Sequence, residues 1–340
     1  MQPQGSEARA RLTSKARETW IRRLIDLSRR NNLLYHRDLK NGTLDLTGAD
    51  PDRFQALLSG KATPLADLLP YADPLKLAAT AREIARRAQA NLEEKGLETL
   101  FLAVGMASWP PRDEGRPPEA AILLVPMAME IKGFGRSVTL RVAGEIQVNL
   151  VLLHVLETEL GCKVDPEEII AALPPDYDGA DPVDLPGAYE VVRQAARQIP
   201  GFTITDRAIL GNFSFQKMAM VRDLLENGAA LNNNEMIAAI AGDTAALEAL
   251  RLAQRDVEPS LLDRETPDAE FFVLDADSSQ HAVAAVVLQG QSVVIQGPPG
   301  TGKSQVISNL IASLAAAGRR VLFVAEKRAA LEVVHRRLEN

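Results

Sequence analysis

One cysteine, Cys162, in a chain of 340 residues rules out an internal disulfide and fits a reducing compartment, so a cytoplasmic protein is expected. The thiol is best read as a small buried hydrophobe. Four histidines, His36, His154, His281 and His335, lie too far apart in sequence to form a metal-ligand pattern. There is no G-x-S-x-G elbow, and a lone cysteine with scattered histidines gives no base for nucleophilic catalysis. Long apolar runs are missing too. The longest, Ala120 to Met129, is too short to cross a bilayer, and Met1 to Leu12 carries charges without the apolar centre of an export signal. An excess of positive charge is also absent. The net charge of −7 argues against a protein that coats nucleic acid by bulk electrostatics.

That charge is unevenly spread. Residues 1–48 carry a net +5 and residues 300–340 a net +4, which leaves −16 for the middle. Screening confines a field to about 10 Å at ordinary salt, so a local basic surface still attracts phosphates on an acidic protein. With 46% hydrophobic residues the chain can bury a large core, and its length predicts two or three domains.

What is present is a complete phosphate loop, Gly297-Pro298-Pro299-Gly300-Thr301-Gly302-Lys303-Ser304, matching G-x-x-x-x-G-K-[ST]. Ser292 to Gln296 before it reads as a buried parallel strand. Gln305 to Ala317 after it carries Ile307, Leu310, Ile311 and Leu314 at helical spacing, with Gly318 as the stop. Several backbone N–H groups must converge on the phosphate oxygens at a helix N-terminus, and side chains at Gly300 and Gly302 would block that approach. Lys303 supplies the cation for the β- and γ-phosphates, and the Ser304 hydroxyl is a ligand for Mg²⁺. Pro298 and Pro299 have no N–H to offer and stiffen the arm of the loop. ATP and Mg²⁺ are therefore the expected ligands, with Gly297 through Ser304 and the adjoining Gln305 as the contact set.

This loop resembles the first ATPase motif of superfamily 1 helicases, and two neighbouring stretches extend the resemblance. Asp277-Ser278-Ser279-Gln280-His281-Ala282-Val283 is similar to the glutamine motif of that superfamily, which implies that the Gln280 amide reads the adenine edge of ATP. Read locally, Gln280 fits equally well as a polar residue in the first turn of a helix capped by Asp277 or Ser278. Arg320 to Ala325 reads as a second buried strand. Glu326-Lys327-Arg328 follows it where such helicases have motif Ia, which implies contact with single-stranded DNA or RNA by Lys327 and Arg328. The Thr and Asn usual in that motif are absent, and a solvated helix start is the other reading of the pair. Glu326 is not a Walker B acid, because the aspartate that would hold Mg²⁺ is missing.

Upstream, a mixed α+β domain is predicted over residues 1–255, a polar linker over 256–270, and an incomplete RecA-like P-loop ATPase domain over 271–340, an α/β architecture overall. Residues 15–30 read as an amphipathic helix with Trp20, Ile21, Leu24, Ile25 and Leu27 on one side and Arg22, Arg23, Arg29 and Arg30 on the other. Those arginines are either a plain solvated face or a nucleic-acid contact. Asp73-Pro74 opens a helix that stops at Gly96, and Asn149 to Leu160 is helical up to Gly161. Strands are expected at 97–107, 121–131, 137–142 and 202–210, with Lys132-Gly133-Phe134-Gly135 as a hairpin turn. Helices are expected over about 187–198, from Ser214 to Gly228, at 234–241 and at 245–254. Asp176 to Asp181 is acidic enough to raise a Ca²⁺ site, but its glycine is misplaced and no Glu closes it, so a solvated turn is expected.

The stretches Trp20 to Leu34, Leu123-Leu124-Val125-Pro126 and Gly211 to Met220 resemble an uncharacterised bacterial domain that precedes superfamily 1 motors of the RNA-surveillance-helicase-like branch. Only 36 residues follow Ser304, and they hold neither the acidic motif nor the arginines that stabilise a transferring phosphoryl group. The expectation is the N-terminal piece of a longer helicase, a poor ATPase by itself and no motor. The alternative is a P-loop regulatory or switch ATPase whose N-terminal domain binds a protein partner. A binding module without catalysis is a third reading.

Overall fold

The computed structural model describes residues 3–111, 114–133, 137–173, 183–214, 217–253, 270–298 and 300–339. The Asp176 to Asp181 loop and all of the expected 256–270 linker except its last residue lie outside them. So do Pro299 and the tip of the expected 132–135 hairpin. The contacts divide the chain into two compact units, residues 19–93 with 97–226, and residues 1–18 with 94–96 and 227–340. Residues 227–253, expected in the N-terminal domain, group with the C-terminal unit.

The first unit is built on an antiparallel, seven-stranded sheet. Its strands are β1 (Thr43–Asp45), β2 (Thr63–Pro64), β3 (Leu100–Ser108), β4 (Ala120–Lys132), β5 (Ser137–Val142), β6 (Gln147–Val148) and β7 (Thr203–Asn212), in the order β1-β7-β3-β4-β5-β2 with β6 beside β4. Long β4 carries the sheet from one set of partners to the next. Ala120 to Pro126 pairs with β3, and Met127 to Lys132 pairs with β5. Pro126 stands at the changeover, where its missing N–H costs nothing and its carbonyl still accepts from Ala143 N at 2.8 Å. The expected strands at 97–107, 121–131, 137–142 and 202–210 are all present, the third at its expected bounds and the others shifted by one to three residues.

β3 is buried along nearly its whole length, Phe101 to Ala107. An apolar run without alternation is what a strand covered on both faces needs. Gly105 breaks its register against β7 with φ +69°, and a Cβ there would lie 2.3 Å from the Tyr189 ring. Glycine is required on both counts.

Around the sheet lie α2 (Pro51–Leu58), α3 (Leu65–Leu68), α4 (Pro74–Lys95), α5 (Leu150–Leu160), α6 (Pro166–Ala171), α7 (Leu185–Ala195) and α8 (Met218–Glu226), after α1 (Pro3–Leu24) at the start of the chain. Three helix starts follow their signals, whereas the helix expected from Ser214 begins at Met218. Asp73 accepts from Leu75 N, Asp165 from Glu167 N and Asn149 from Val151 N and Leu152 N, while Gly96 and Gly161 end their helices at positive φ. Leu57, Leu58, Leu68, Leu102, Leu123 and Leu124 are fully buried, each contributing about 1.5–3 kcal/mol of transfer free energy.

Helix α1 departs from expectation. It begins at Pro3 and stops at Leu24, so Arg29 and Arg30 are not on its polar face. The side chains of Asp26 and Asn31 compete for the backbone there. Asp26 Oδ1 accepts from Ser28 N at 2.9 Å, Asn31 Nδ2 donates to the Asp26 carbonyl at 2.6 Å, and Asn31 Oδ1 takes Leu33 N at 3.0 Å.

In the second unit, α9 (Gly228–Asn232), α10 (Glu235–Ile240) and α11 (Thr244–Ala253) are followed by α12 (Ser278–Leu288), α13 (Lys303–Ala316) and α14 (Arg328–Glu339). The two strands expected here are not formed. Residues 292–298 and 319–325 join no ladder, and Val294, Leu322 and Val324 are 89, 87 and 76% exposed. An extended segment satisfies its N–H and C=O groups only through a neighbouring strand, and none pairs with either one among the described residues.

Candidate phosphate-binding site

The loop closes into a compact turn at the N-terminus of α13. Gly300 and Gly302 take φ +88° and +76°, the left-handed region in which a side chain is strained. Thr301 N and Thr301 Oγ1 both reach the Pro298 carbonyl, at 3.4 and 2.9 Å. Gln305 N and Val306 N then close on the Gly302 carbonyl at 2.8 and 3.1 Å, starting the helix. A Cβ on Gly297 would sit 2.6 Å from Thr301 Oγ1, so glycine is also needed where the chain enters the turn.

Lys303, first residue of α13, folds back over the loop and donates from Nζ to the carbonyls of Gly297 and, at 2.7 Å, Pro298. The ammonium is thereby held at the mouth of the turn by neutral acceptors alone. Ser304 follows it in the first helical turn, half-buried, with its carbonyl taken by Ser308 Oγ at 2.9 Å.

Gln280 lies in the first turn of α12. Asp277 is the N-cap and accepts from Gln280 N at 2.9 Å. The Asp277 carboxyl is held below its ordinary range by the Ser279 hydroxyl and by that N–H. The capping reading of this stretch is therefore correct. The Gln280 side chain nevertheless reaches the loop. Its Nε2 donates to the Thr301 carbonyl at 3.5 Å, and a Cβ on Gly302 would lie 2.6 Å from both Gln280 Nε2 and Gln305 Oε1. Among the described residues, buried Gln280 Oε1 finds no hydrogen-bond partner, an acceptor left over beside the turn. Glycine at 302 thus serves the packing of two amides as well as the backbone angle.

Lys327 and Arg328 stand at the start of α14, both exposed, with Arg328 Nε paired to Glu332 at 3.0 Å. Neither is brought to the phosphate loop by any described bond. Missed by the sequence reading was Asn309, 2% exposed on α13. Its Oδ1 accepts from Val273 N and Leu274 N at 3.1 and 2.9 Å, and its Nδ2 donates to the Leu274 carbonyl at 2.9 Å. This clamp fixes the chain leading to Asp277, and so to Gln280. An asparagine on the polar side of a helical pattern carries no signal for such a role. His281 is also tied into this approach, against Phe272 with ring centroids 4.7 Å apart and to Glu270 at 3.0 Å.

Among the described residues no group of acidic, histidine or cysteine side chains is placed to hold a metal ion, and no helix is long and apolar enough to cross a membrane.

Comparison with known proteins gives the following. Residues 275–340, which contain Gln280 and the whole loop, match the family described as AAA domain. That segment is similar to the start of a P-loop NTPase domain. Residues 23–156 match a family described as protein of unknown function (DUF4011). An uncharacterized ATP-dependent helicase of Mycoplasma genitalium (MG140) is 48% identical over 59 residues, 17% of this chain and 5% of that protein. Its homolog in Mycoplasma pneumoniae, under the same description, is 56% identical over 46 residues, 14% of this chain and 4% of that protein. The matches span about one twentieth of the length of these relatives. No solved structure matches.

Proposed function

We propose that this chain is the ATP-binding, N-terminal portion of a superfamily 1 DNA or RNA helicase, and that its loop binds ATP with Mg²⁺. One observation carries this reading. A left-handed glycine pair and a lysine folded over the turn's own carbonyls form a cationic cradle at a helix N-terminus, the arrangement that favours a polyphosphate. The carbonyls that now hold Lys303 are neutral, and phosphate oxygens are stronger partners for an ammonium.

In this assignment the backbone N–H groups of Gly300 through Ser304 hold phosphate, Lys303 neutralises it, and Ser304 is a Mg²⁺ ligand. Gln280 reads the adenine edge, and its unpartnered Oε1 supports that role, since the adenine amino group is a donor. Gly297, Pro298 and Gln305 shape the turn, and Pro299 belongs to the same contact set. The bound ATP supplies phosphoryl-transfer chemistry. Single-stranded DNA or RNA is the partner expected of the whole protein, with Lys327 and Arg328 as contacts.

Titration of ATP, ADP and GTP against the chain and a Lys303→Ala variant tests this. ATP affinity is expected to fall about tenfold or more in the variant, the loss of one charge-assisted contact. Gln280→Ala is expected to weaken ATP binding while leaving GTP binding unchanged. Equal ATP binding by wild type and Lys303→Ala rejects the assignment.

A further inference from the structure

The first unit holds an open cleft of about 480 Å³. Four arginines line it: Arg29 and Arg30 from the turn after α1, Arg37, and Arg87 from α4. No Asp or Glu is among its lining residues. Among the nearby acids, Glu83 is paired with Arg87 itself, Asp38 lies 3.2 Å from the ring nitrogen of His36, and another cation engages Asp38, Asp45 and Glu119. Arg207 donates to both oxygens of Asp38 at 3.0 Å, to Asp45 at 3.4 Å and to Glu119. Arg87 is oriented by Glu83, with Nε 2.7 Å from Oε1, and by Gly42, where a Cβ would come 2.9 Å from Arg87 Nη1.

The floor is uncharged and rigid. Asn32 Nδ2 donates to the Asn212 carbonyl at 2.8 Å. Asn212 in turn donates to the Ile84 carbonyl at 3.0 Å and accepts from Thr99 Oγ1 at 2.6 Å. His36 stacks on Phe213 at 5.7 Å, and burial favours its neutral form. Tyr35 is the half-buried aromatic of the lining, whereas Phe213 is covered.

We propose that this cleft binds single-stranded nucleic acid, with a phosphodiester held by Arg30 and Arg37 and a base laid against Tyr35. Guanidinium forks match phosphate oxygens in pairs. A cleft of this size accepts one or two nucleotides of a strand and excludes a double helix. Stacking on an aromatic side chain adds affinity without regard to sequence. The choice of nucleic acid over other polyanions rests on the helicase reading above; the cationic cleft itself does not.

The test is fluorescence anisotropy with short labelled oligo(dT) and oligo(U), using the full chain at low salt. Arg30→Glu combined with Arg37→Glu is expected to lower affinity about tenfold or more and to flatten the slope of log K against log salt by about 2. Arg53→Glu with Lys61→Glu makes the same charge change at exposed positions outside the cleft and is expected to alter affinity less than about threefold. Tyr35→Leu is expected to cost roughly tenfold on both oligonucleotides. Circular dichroism and thermal unfolding establish that each variant is folded.

Four results overturn the proposal: no binding at low salt, wild-type affinity in the Arg30/Arg37 variant, an equal loss in the control pair, or full competition by polyglutamate or a mononucleotide at matched charge. Lys303→Ala separates the two readings, because it is expected to lower ATP affinity about tenfold or more and leave oligonucleotide binding intact. Oligonucleotide binding by a chain that does not bind ATP would sink the helicase reading and spare the cleft.

Discussion

The sheet of the first unit and the segments at 292–298 and 319–325 both carry runs of apolar, β-branched residues, yet they reach opposite outcomes. In β3 and β4 each strand meets hydrogen-bonding neighbours on both edges, and Leu102, Leu123 and Leu124 are fully buried. Residues 292–298 and 319–325 have no ladder, and Val294 and Leu322 stand in solvent. The helices beside those segments form in full. The difference is one of bookkeeping within the backbone: a helix closes its bonds inside its own segment, whereas a strand depends on another that is remote in sequence.

The comparison is broken most severely at Asn149. It is fully buried, caps α5, and donates to the Leu33 and Ala121 carbonyls at 2.8 Å each. Asn149→Ala leaves both carbonyls unsatisfied and removes the cap, and is expected to cost about 2–4 kcal/mol in urea unfolding. If the sheet unit tolerates it without change, its cohesion does not depend on this junction.

A smaller effect comes from acid. Burial lowers the pKa of His36 below 6.5, against hydrogen bonding from Asp38, which raises it. A depressed folded value means that the unfolded chain takes up the proton more readily. The contribution of His36 is therefore complete above about pH 6.5 and is lost as pH falls through the folded value. Burial acts on His154 in the same direction. Unfolding midpoints recorded from pH 7 down to pH 5 are expected to fall, and to fall less in a His36→Gln variant. Equal slopes in the two proteins would remove His36 from the account.

The smallest expected effect sharpens the contrast from the other side. Leu322→Ser is expected to change stability by less than about 0.5 kcal/mol, because the side chain is already in water. A loss above about 1 kcal/mol by urea unfolding would show that the segment is packed, and the contrast between the two regions would shrink.

Much of this was legible residue by residue. Asp73-Pro74 with Gly96, and Asn149 with Gly161, bracket α4 and α5 because caps and stops act over a few neighbouring residues. The phosphate loop was legible for the same reason. Its glycines answer to local angles, and its lysine lies within reach of its own turn. Shorter strands such as β1, β2 and β6 were not, since two or three residues carry no usable period. Nor was the end of α1, where the apolar stripe continues to Leu27 while Asp26 and Asn31 turn the backbone away. The clamp by Asn309 was hidden because its value lies in partners about 35 residues upstream.

By itself, then, the order of residues determined where several helices start and stop, the glycine turn that begins at Gly297, and the identity of the lysine and serine at its end. All of these are interactions between near neighbours along the chain. The tertiary structure alone decided that arginines from positions 29, 30, 37 and 87 share one cleft over Asn212 and Phe213, that Gln280 rests on Gly302, and that two apolar segments stay exposed. Those outcomes depend on pairing between distant segments, and no local pattern encodes which distant segment will be the partner.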